Sequence, residues 1–211
     1  MLDLLQQLDV QVLLSVNSCN SPAWDTIMTS ISEEWTWVPV IASILWMLHR
    51  RHGWRGLVLS VLCTAALYGT TVAGVQTIKH SAERLRPFLQ NELLPMLHLP
   101  AHLPHSAYGF VSTHSAAAFA FAVFGALLLH RRWAILPLLT WSCLVAYSRV
   151  YLGVHFPSDV IGGALLGAAL AGIAYALWRL IPAHFYSKDE VCPLTTGATL
   201  IPATPVSPAA S

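Results

Sequence analysis

Charge is what this chain has least of. Only 10% of its 211 residues are Asp, Glu, Lys or Arg, while 55% are hydrophobic, against about a quarter charged in ordinary soluble domains. So little charge cannot clothe a water-exposed surface, and the chain is expected to lie in a bilayer. A basic excess is also missing. The formal net charge of +1 excludes a nucleic-acid partner, because a phosphate-tracking surface needs clustered Lys and Arg. Paired cysteines are lacking too. Cys19, Cys63, Cys143 and Cys192 stand far apart with no CxxC, so neither a disulfide framework nor a thiolate metal site is expected. The opening MLDLLQQLDVQ carries acids and amides where a secretory leader would carry Lys or Arg, and it reads as mature protein.

Long apolar runs are what the chain does have. Five are expected to cross a membrane, over about 35–48, 54–78, 115–129, 133–147 and 160–181, with a sixth if the N-terminal segment inserts. The expected fold class is therefore all-α, a polytopic membrane helical bundle of five to six spans. Residues 1–21 place Leu2, Leu5, Leu8, Val12 and Leu13 near helical spacing among Asp3, Gln6, Gln7, Asp9 and Gln11. This reads as an interfacial amphipathic helix, or as a helix packed on the spans. Residues 22–186 form the transmembrane domain, and 187–211, rich in Thr, Pro, Ala and Ser, read as a flexible tail.

Smaller features have their own readings. The 88–111 connection holds Pro95, Pro100 and Pro104, and loops of that length are usually functional. His98, His102 and His105 lie on it without a helical face, so no metal is expected there. Gly163 and Gly167 form a GxxxG pair expected to pack within the chain, and Trp35, Trp37, Trp54 and Trp133 read as an interface belt.

Because each span reverses direction, Arg50, Arg51, Arg55, Arg131, Arg132, Arg179 and Lys188 share one side and Lys79, Arg84, Arg86 and Arg149 the other. By the positive-inside tendency the first side is cytoplasmic. The multi-pass protein is expected in the cell inner (plasma) membrane, with its site facing the periplasm or exterior.

The chemistry lies on that second side. Phosphate must be neutralised before a nucleophile reaches phosphorus, and Lys79, Arg86 and Arg149 at span ends supply one point charge and two planar forks. Ser112 adds a hydroxyl, and backbone N–H groups at the start of the third span add more. His155 and Asp159 are four residues apart with Pro157 between them, so the carboxylate can hold one ring nitrogen while the other faces phosphorus. His114 can protonate the leaving oxygen and then activate water. The set implies two-step phosphoryl transfer through a covalent intermediate. Taken singly, the three cations read as interfacial anchors. Arg84 reads equally as a phosphate contact or a partner of Glu83 or Glu92, and Ser148 as a packing or backbone-bonding residue.

Lys79-x6-Arg86-Pro87, Ser112-x-His114 and Ser148-Arg149-x5-His155-x3-Asp159 resemble the three-part signature of the type 2 phosphatidic acid phosphatase family. That resemblance implies a six-helix-type membrane fold and no metal or other cofactor. It implies phosphate ligands at Lys79, Arg86, Ser112, Thr113 and Arg149, an acid at His114 and a nucleophile at His155 supported by Asp159. The middle motif departs from the family's Pro-Ser-Gly-His: this chain has Val111-Ser112-Thr113-His114, and Thr113 lacks the backbone freedom of Gly.

The expected partners are a lipid phosphate substrate and the bilayer, with no nucleic acid and no obligate protein partner evident. The compact build, Asn17 and the Leu-rich start look like small undecaprenyl-diphosphate phosphatases. Phosphatidylglycerophosphate, phosphatidic acid and lipid A phosphates stay open as substrates. A non-catalytic lipid-phosphate binder or transporter is the reading from another class; it predicts repeats or broken helix pairs, which the sequence does not show. Vanadate haloperoxidases share the phosphate signature but are soluble.

Overall fold

In the computed structural model, Ser21 caps a helix whose first residue is Pro22, a combination that satisfies one orphan N–H and presets φ. The structure describes residues 2–99 and 106–182; His102, His105, Cys192, Lys188 and the 187–211 tail lie outside the described residues. The elements are α1 (Leu2–Asn17), α2 (Pro22–Ser32), α3 (Trp37–Ala82), α4 (Thr113–Leu129), α5 (Arg132–Tyr151) and α6 (Pro157–Trp178). Among the described residues there is no strand, only a bridge between Leu85 and Tyr108.

The first two expected spans form one continuous element broken at Gly53, whose φ of 69° and ψ of −166° suit a residue without Cβ. The limbs, residues 37–52 and 54–82, run roughly 24 and 43 Å at 1.5 Å per residue. The other spans, α4, α5 and α6, hold 17, 20 and 22 residues, and about 20 residues cross a bilayer core. The five expected runs thus correspond to five helical limbs.

α4 is the central pillar. Phe124, Leu128 and Leu129 pack with Leu48, Leu67, Leu138, Ala171 and Trp178. Its Ala116, Ala117, Ala118, Ala120 and Ala122 are buried, and α6 approaches its backbone through Gly163 and Gly167. A Cβ at Gly167 would stand 2.0 Å from the Ala116 carbonyl oxygen, and one at Gly163 would stand 2.6 Å from that of Ser112. The GxxxG pair therefore serves packing within the chain. The outer surface is apolar: Trp46, Leu62, Leu136, Leu165, Ile173 and Leu177 are all exposed. In water each would forgo about 1.5–3 kcal/mol of burial, whereas lipid solvates them, and the chain is a membrane protein.

α1 turns Asp9, Leu13 and Asn17 inward and Leu4, Leu5, Leu8 and Val12 outward, so two polar residues of this helix face protein. Asn17 donates to the carbonyls of His98 (2.8 Å) and Tyr151 (2.7 Å) and accepts from His98 N–H (2.8 Å). The belt reading fails at Trp37. Trp35, Trp54 and Trp133 are exposed, but Trp37 is buried against Trp141, Phe121 and His114. Being the first residue of α3, it points along the bundle interior rather than outward.

The two ends of the bundle differ in chemistry. At one end Arg51 donates to the Leu129 carbonyl, and the Tyr175 hydroxyl meets His130 Nε2 at 3.0 Å. Burial, then the nearby Arg51 and Arg179, holds the His130 imidazole below its ordinary range. The 49–55 turn, the 130–132 turn and the end of α6 therefore lie together. Lys79, Arg86 and Arg149 gather at the other end.

Candidate active site

Three cations reach the site from three places. Lys79, in the last turn of α3, is buried and donates to Thr113 Oγ1 at 3.2 Å. After it the chain leaves the helix at Glu83, in the left-handed region at φ 46°, and enters a short paired segment. Arg86 N–H donates to the Ala107 carbonyl and Gly109 N–H to that of Arg84, which fixes Arg86 at the base of the 88–111 connection. Arg86 is itself anchored by carbonyls, Nε to Ser106 at 2.7 Å and Nη1 to Val154 at 3.1 Å. Burial lowers its pKa to about 10, with Asp159 opposing the shift, so it stays charged at neutral pH. Arg149, in the last turn of α5, donates to Ser32 Oγ, and its buried Nε has no partner among the described residues.

His155 sits in the turn between α5 and α6. Gly153, at φ 69°, allows that turn, and Val154 N–H returns to the Arg149 carbonyl at 3.2 Å. The ring is 1% exposed. Its Nε2 lies 2.9 Å from Arg86 Nη1, and since a guanidinium only donates, Nε2 must present its lone pair. The ring proton is then on Nδ1, which faces Asp159 Oδ2 at 3.4 Å, with the Gly109 backbone as a second partner. Burial first, then Arg86, Arg149 and Lys79, holds His155 well below the ordinary histidine pKa. The result is a neutral imidazole with an available lone pair, facing three cations.

Asp159 occupies the third position of α6 and is fully buried; its Oδ2 accepts the Phe156 N–H at 3.0 Å and so caps the helix. Its Oδ1 accepts from Arg84 Nη1 at 2.8 Å. Arg84 pairs with neither Glu83 nor Glu92. It bridges Asp159 and Asp9 (2.6 Å), donates to Ser158 Oγ at 2.6 Å, and lies 4.2 Å from the Phe156 ring centroid. Both carboxylates are 75 residues away in the chain, so no local spacing announced them.

The middle motif opens α4. Ser112 is its N-cap, accepting from Ser115 N–H, and Thr113 is its first residue in regular helical geometry. Neither has positive φ, so the place of the family's Gly needs no special backbone here, and the Thr113 hydroxyl instead meets Lys79. Ser148 donates to the Val145 carbonyl at 2.7 Å, a structural role. His114, the second residue of α4, packs edge-on against Trp37 with ring centroids 6.3 Å apart.

Cavities connect this end to the bundle's apolar interior. One of about 400 Å³ is lined by Arg149, His114, Ser32, Glu33, Glu34 and Val154. A second, of about 270 Å³, shares His114 and adds Trp37, Ile41, Tyr68 and Phe121. A third, of about 260 Å³, shares Ile41, Tyr68 and Phe121 and runs between the limbs of α3 and α4 along Ile44, Val61 and Leu128. A polar mouth thus leads into an apolar groove. His98, read with His102 and His105 as an unpromising metal site, is engaged by Asp25 at 2.9 Å. Among the described residues no group of three His, Cys, Asp or Glu is placed to hold a metal.

The expected residues gather at one end: Lys79 meets Thr113, Arg86 meets His155, His155 faces Asp159, Ser112 caps the helix that carries His114, and Arg149 shares a cavity wall with His114. Sequence reasoning missed Ser32, which holds Arg149, and gave Asp9 no role.

Residues 56–182 match the PAP2 superfamily. The chain is 29% identical over 197 residues to a lipid A 4'-phosphatase of Bacteroides thetaiotaomicron, covering 90% of this chain and 86% of that protein. It is 32% identical over 154 residues to YbjG of Escherichia coli, named as a proposed undecaprenyl-diphosphatase, covering 72% of each. Among solved structures it is similar, with a TM-score of 0.67 and 25% identity, to a transmembrane PAP2-type phosphatidylglycerolphosphate phosphatase of Bacillus subtilis. That match covers 84% of this chain and 88% of the other.

Proposed function

Because the chain belongs to the PAP2 superfamily and is a membrane lipid phosphatase, we propose that it hydrolyses a lipid phosphate or diphosphate, without metal, through a phosphohistidine at His155. The observation that carries this reading is the His155 Nε2 lone pair, held 2.9 Å from a fixed guanidinium in a buried group of three cations. A phosphoryl group entering between them takes the guanidinium's hydrogen bonds onto its oxygens and leaves Nε2 facing phosphorus.

The first step forms an N–P bond at Nε2 as the bond from the terminal phosphorus to the leaving oxygen breaks. That oxygen, belonging to the lipid alcohol of a monoester or the lipid monophosphate of a diphosphate, takes the proton of His114. In the second, water gives a proton back to His114 while its oxygen attacks phosphorus, the N–P bond breaks, and inorganic phosphate leaves. Lys79, Arg86 and Arg149 hold the phosphoryl oxygens, with Ser112 and Thr113 hydroxyls and the α4 N-terminus as further donors. Asp159 keeps the His155 proton on Nδ1 and stabilises the cationic ring that phosphorylation creates.

The groove from His114 into the apolar interior supports a substrate with hydrocarbon tails. The basic end of the bundle supports a cytoplasmic placement for that end in the inner membrane, and so a site facing the periplasm or exterior. Undecaprenyl diphosphate is the leading substrate, as the small build suggests, with phosphatidylglycerophosphate as an alternative. Lipid A 4'-phosphate is a second reading, favoured by an alignment to the Bacteroides relative that spans most of both chains. The test is phosphate release in detergent with EDTA from each of these lipids and from phosphatidic acid. One substrate should exceed the others in kcat/KM by at least about tenfold; strict dependence on added divalent metal would contradict the mechanism.

A further inference from the structure

α1 carries a carboxylate where a lipid-facing helix should not. Asp9 is 8% exposed on a helix whose other side presents Leu4, Leu5, Leu8 and Val12 outward. A buried charge of that kind is costly unless it is paired and hydrogen-bonded. Asp9 is both. Its Oδ2 accepts from Arg84 Nη2 at 2.6 Å and from the Ser158 hydroxyl, and its Oδ1 accepts the Ser158 N–H at 2.8 Å.

The other edge of the same guanidinium meets Asp159 Oδ1 at 2.8 Å, and Asp159 Oδ2 faces His155. The groups form a row: Asp9, Arg84, Asp159, His155. Charges alternate along its first three members, so Arg84 divides its charge between two carboxylates. If Arg84 served Asp159 alone it would neutralise that carboxylate more fully and weaken its hold on the imidazole proton. If Arg84 were free it would swing out, since its side chain is already 25% exposed. Asp9 prevents both.

We infer that Asp9 is a positioning residue for phosphoryl transfer, acting through Arg84 to fix the orientation and charge of Asp159 behind His155. α1 is on this account part of the catalytic end of the molecule rather than a membrane anchor alone. The inference rests on the reading of His155 as nucleophile.

The test is a double-mutant cycle on the full chain in detergent, with undecaprenyl diphosphate, phosphatidylglycerophosphate and lipid A each as substrate. Asp9→Asn should lower kcat about tenfold and leave KM within about twofold; in an Asp159→Asn background the same change should cost less than about twofold. Asn17→Ala, which loosens α1 from the His98 and Tyr151 carbonyls but leaves the Asp9–Arg84 pair, should change kcat by no more than about twofold. If Asp9→Asn is recovered only unfolded, Asp9→Glu enters the same cycle.

An undiminished kcat in the Asp9 variant overturns the inference. So does an equal loss in both backgrounds, or an Asn17→Ala loss as large as that of Asp9→Asn, because either would mean that α1 merely docks. Turnover surviving His155→Ala would instead remove the nucleophile, and the inference with it. Turnover that needs His155 together with an uncoupled Asp9 overturns the inference alone.

Discussion

Arg86 Nη1 stands 2.9 Å from His155 Nε2, and the same nitrogen is 3.1 Å from the Val154 carbonyl. One guanidinium therefore both engages the His155 lone pair and is tied to the turn that carries it. Arg86→Lys keeps the charge but loses the planar fork and these paired contacts. It should lower kcat/KM by about a hundredfold, with a rise in KM, because an ammonium cannot hold two phosphoryl oxygens in one plane. Steady-state phosphate release checks this; a loss under about threefold would show that charge alone suffices.

The burial of His155 makes a prediction about pH and stability. Its folded pKa is held well below the ordinary 6.5, so above about pH 6.5 the group is neutral in both states and the native state is not penalised. As pH falls below that value the unfolded chain takes up a proton that the folded one refuses, and stability is lost down to the folded pKa. The melting temperature of the wild type should therefore fall more between pH 7 and pH 5 than that of His155→Asn. Parallel curves would place the residue in a far more open environment.

Much of this was legible in the sequence, and the reasons are physical. Charge scarcity and apolar runs near bilayer length fixed the all-α membrane class. Lys79, Arg86, Arg149 and His155 could be read because short-range spacing at span ends puts them on one side. What spacing could not show was tertiary pairing. Arg84 found Asp9 and Asp159 instead of its neighbours, and Arg149 found Ser32. Trp37 resembled its exposed neighbour Trp35 in sequence, and only the start of α3 decided which of them faced His114. The separation of the first two runs was legible, but not that helix would continue through His49–His52 to a break at Gly53 alone, because HRRHGWR is polar enough to read as a connection.

Glycines along α6 should respond by position. Gly167→Ala would put a Cβ 2.0 Å from the Ala116 carbonyl oxygen, forcing α6 off α4 at a cost of about 1–3 kcal/mol. Gly172 has nothing within 4 Å of an added Cβ, so Gly172→Ala should be neutral or stabilise by up to about 1 kcal/mol through helix propensity. Thermal melting in one detergent compares them, and equal melting points would contradict the packing described.

Gly163→Ala tests the link between packing and chemistry. The added Cβ would lie 2.6 Å from the carbonyl oxygen of Ser112, the N-cap of α4, two residues before His114. This variant should lose kcat about tenfold, more than its melting temperature predicts when compared with Gly167→Ala. Loss of activity in proportion to stability in both variants would show that the α4 N-terminus tolerates displacement.

The central claim is that phosphorus becomes bonded to His155. The most direct measurement is to mix the protein with substrate labelled in the reacting phosphoryl group, quench within one turnover in alkali, and locate the label by mass spectrometry. The account predicts an alkali-stable, acid-labile phosphohistidine on the peptide containing His155, absent from His155→Ala. Full turnover with label on no histidine, or on His114 instead, would contradict it.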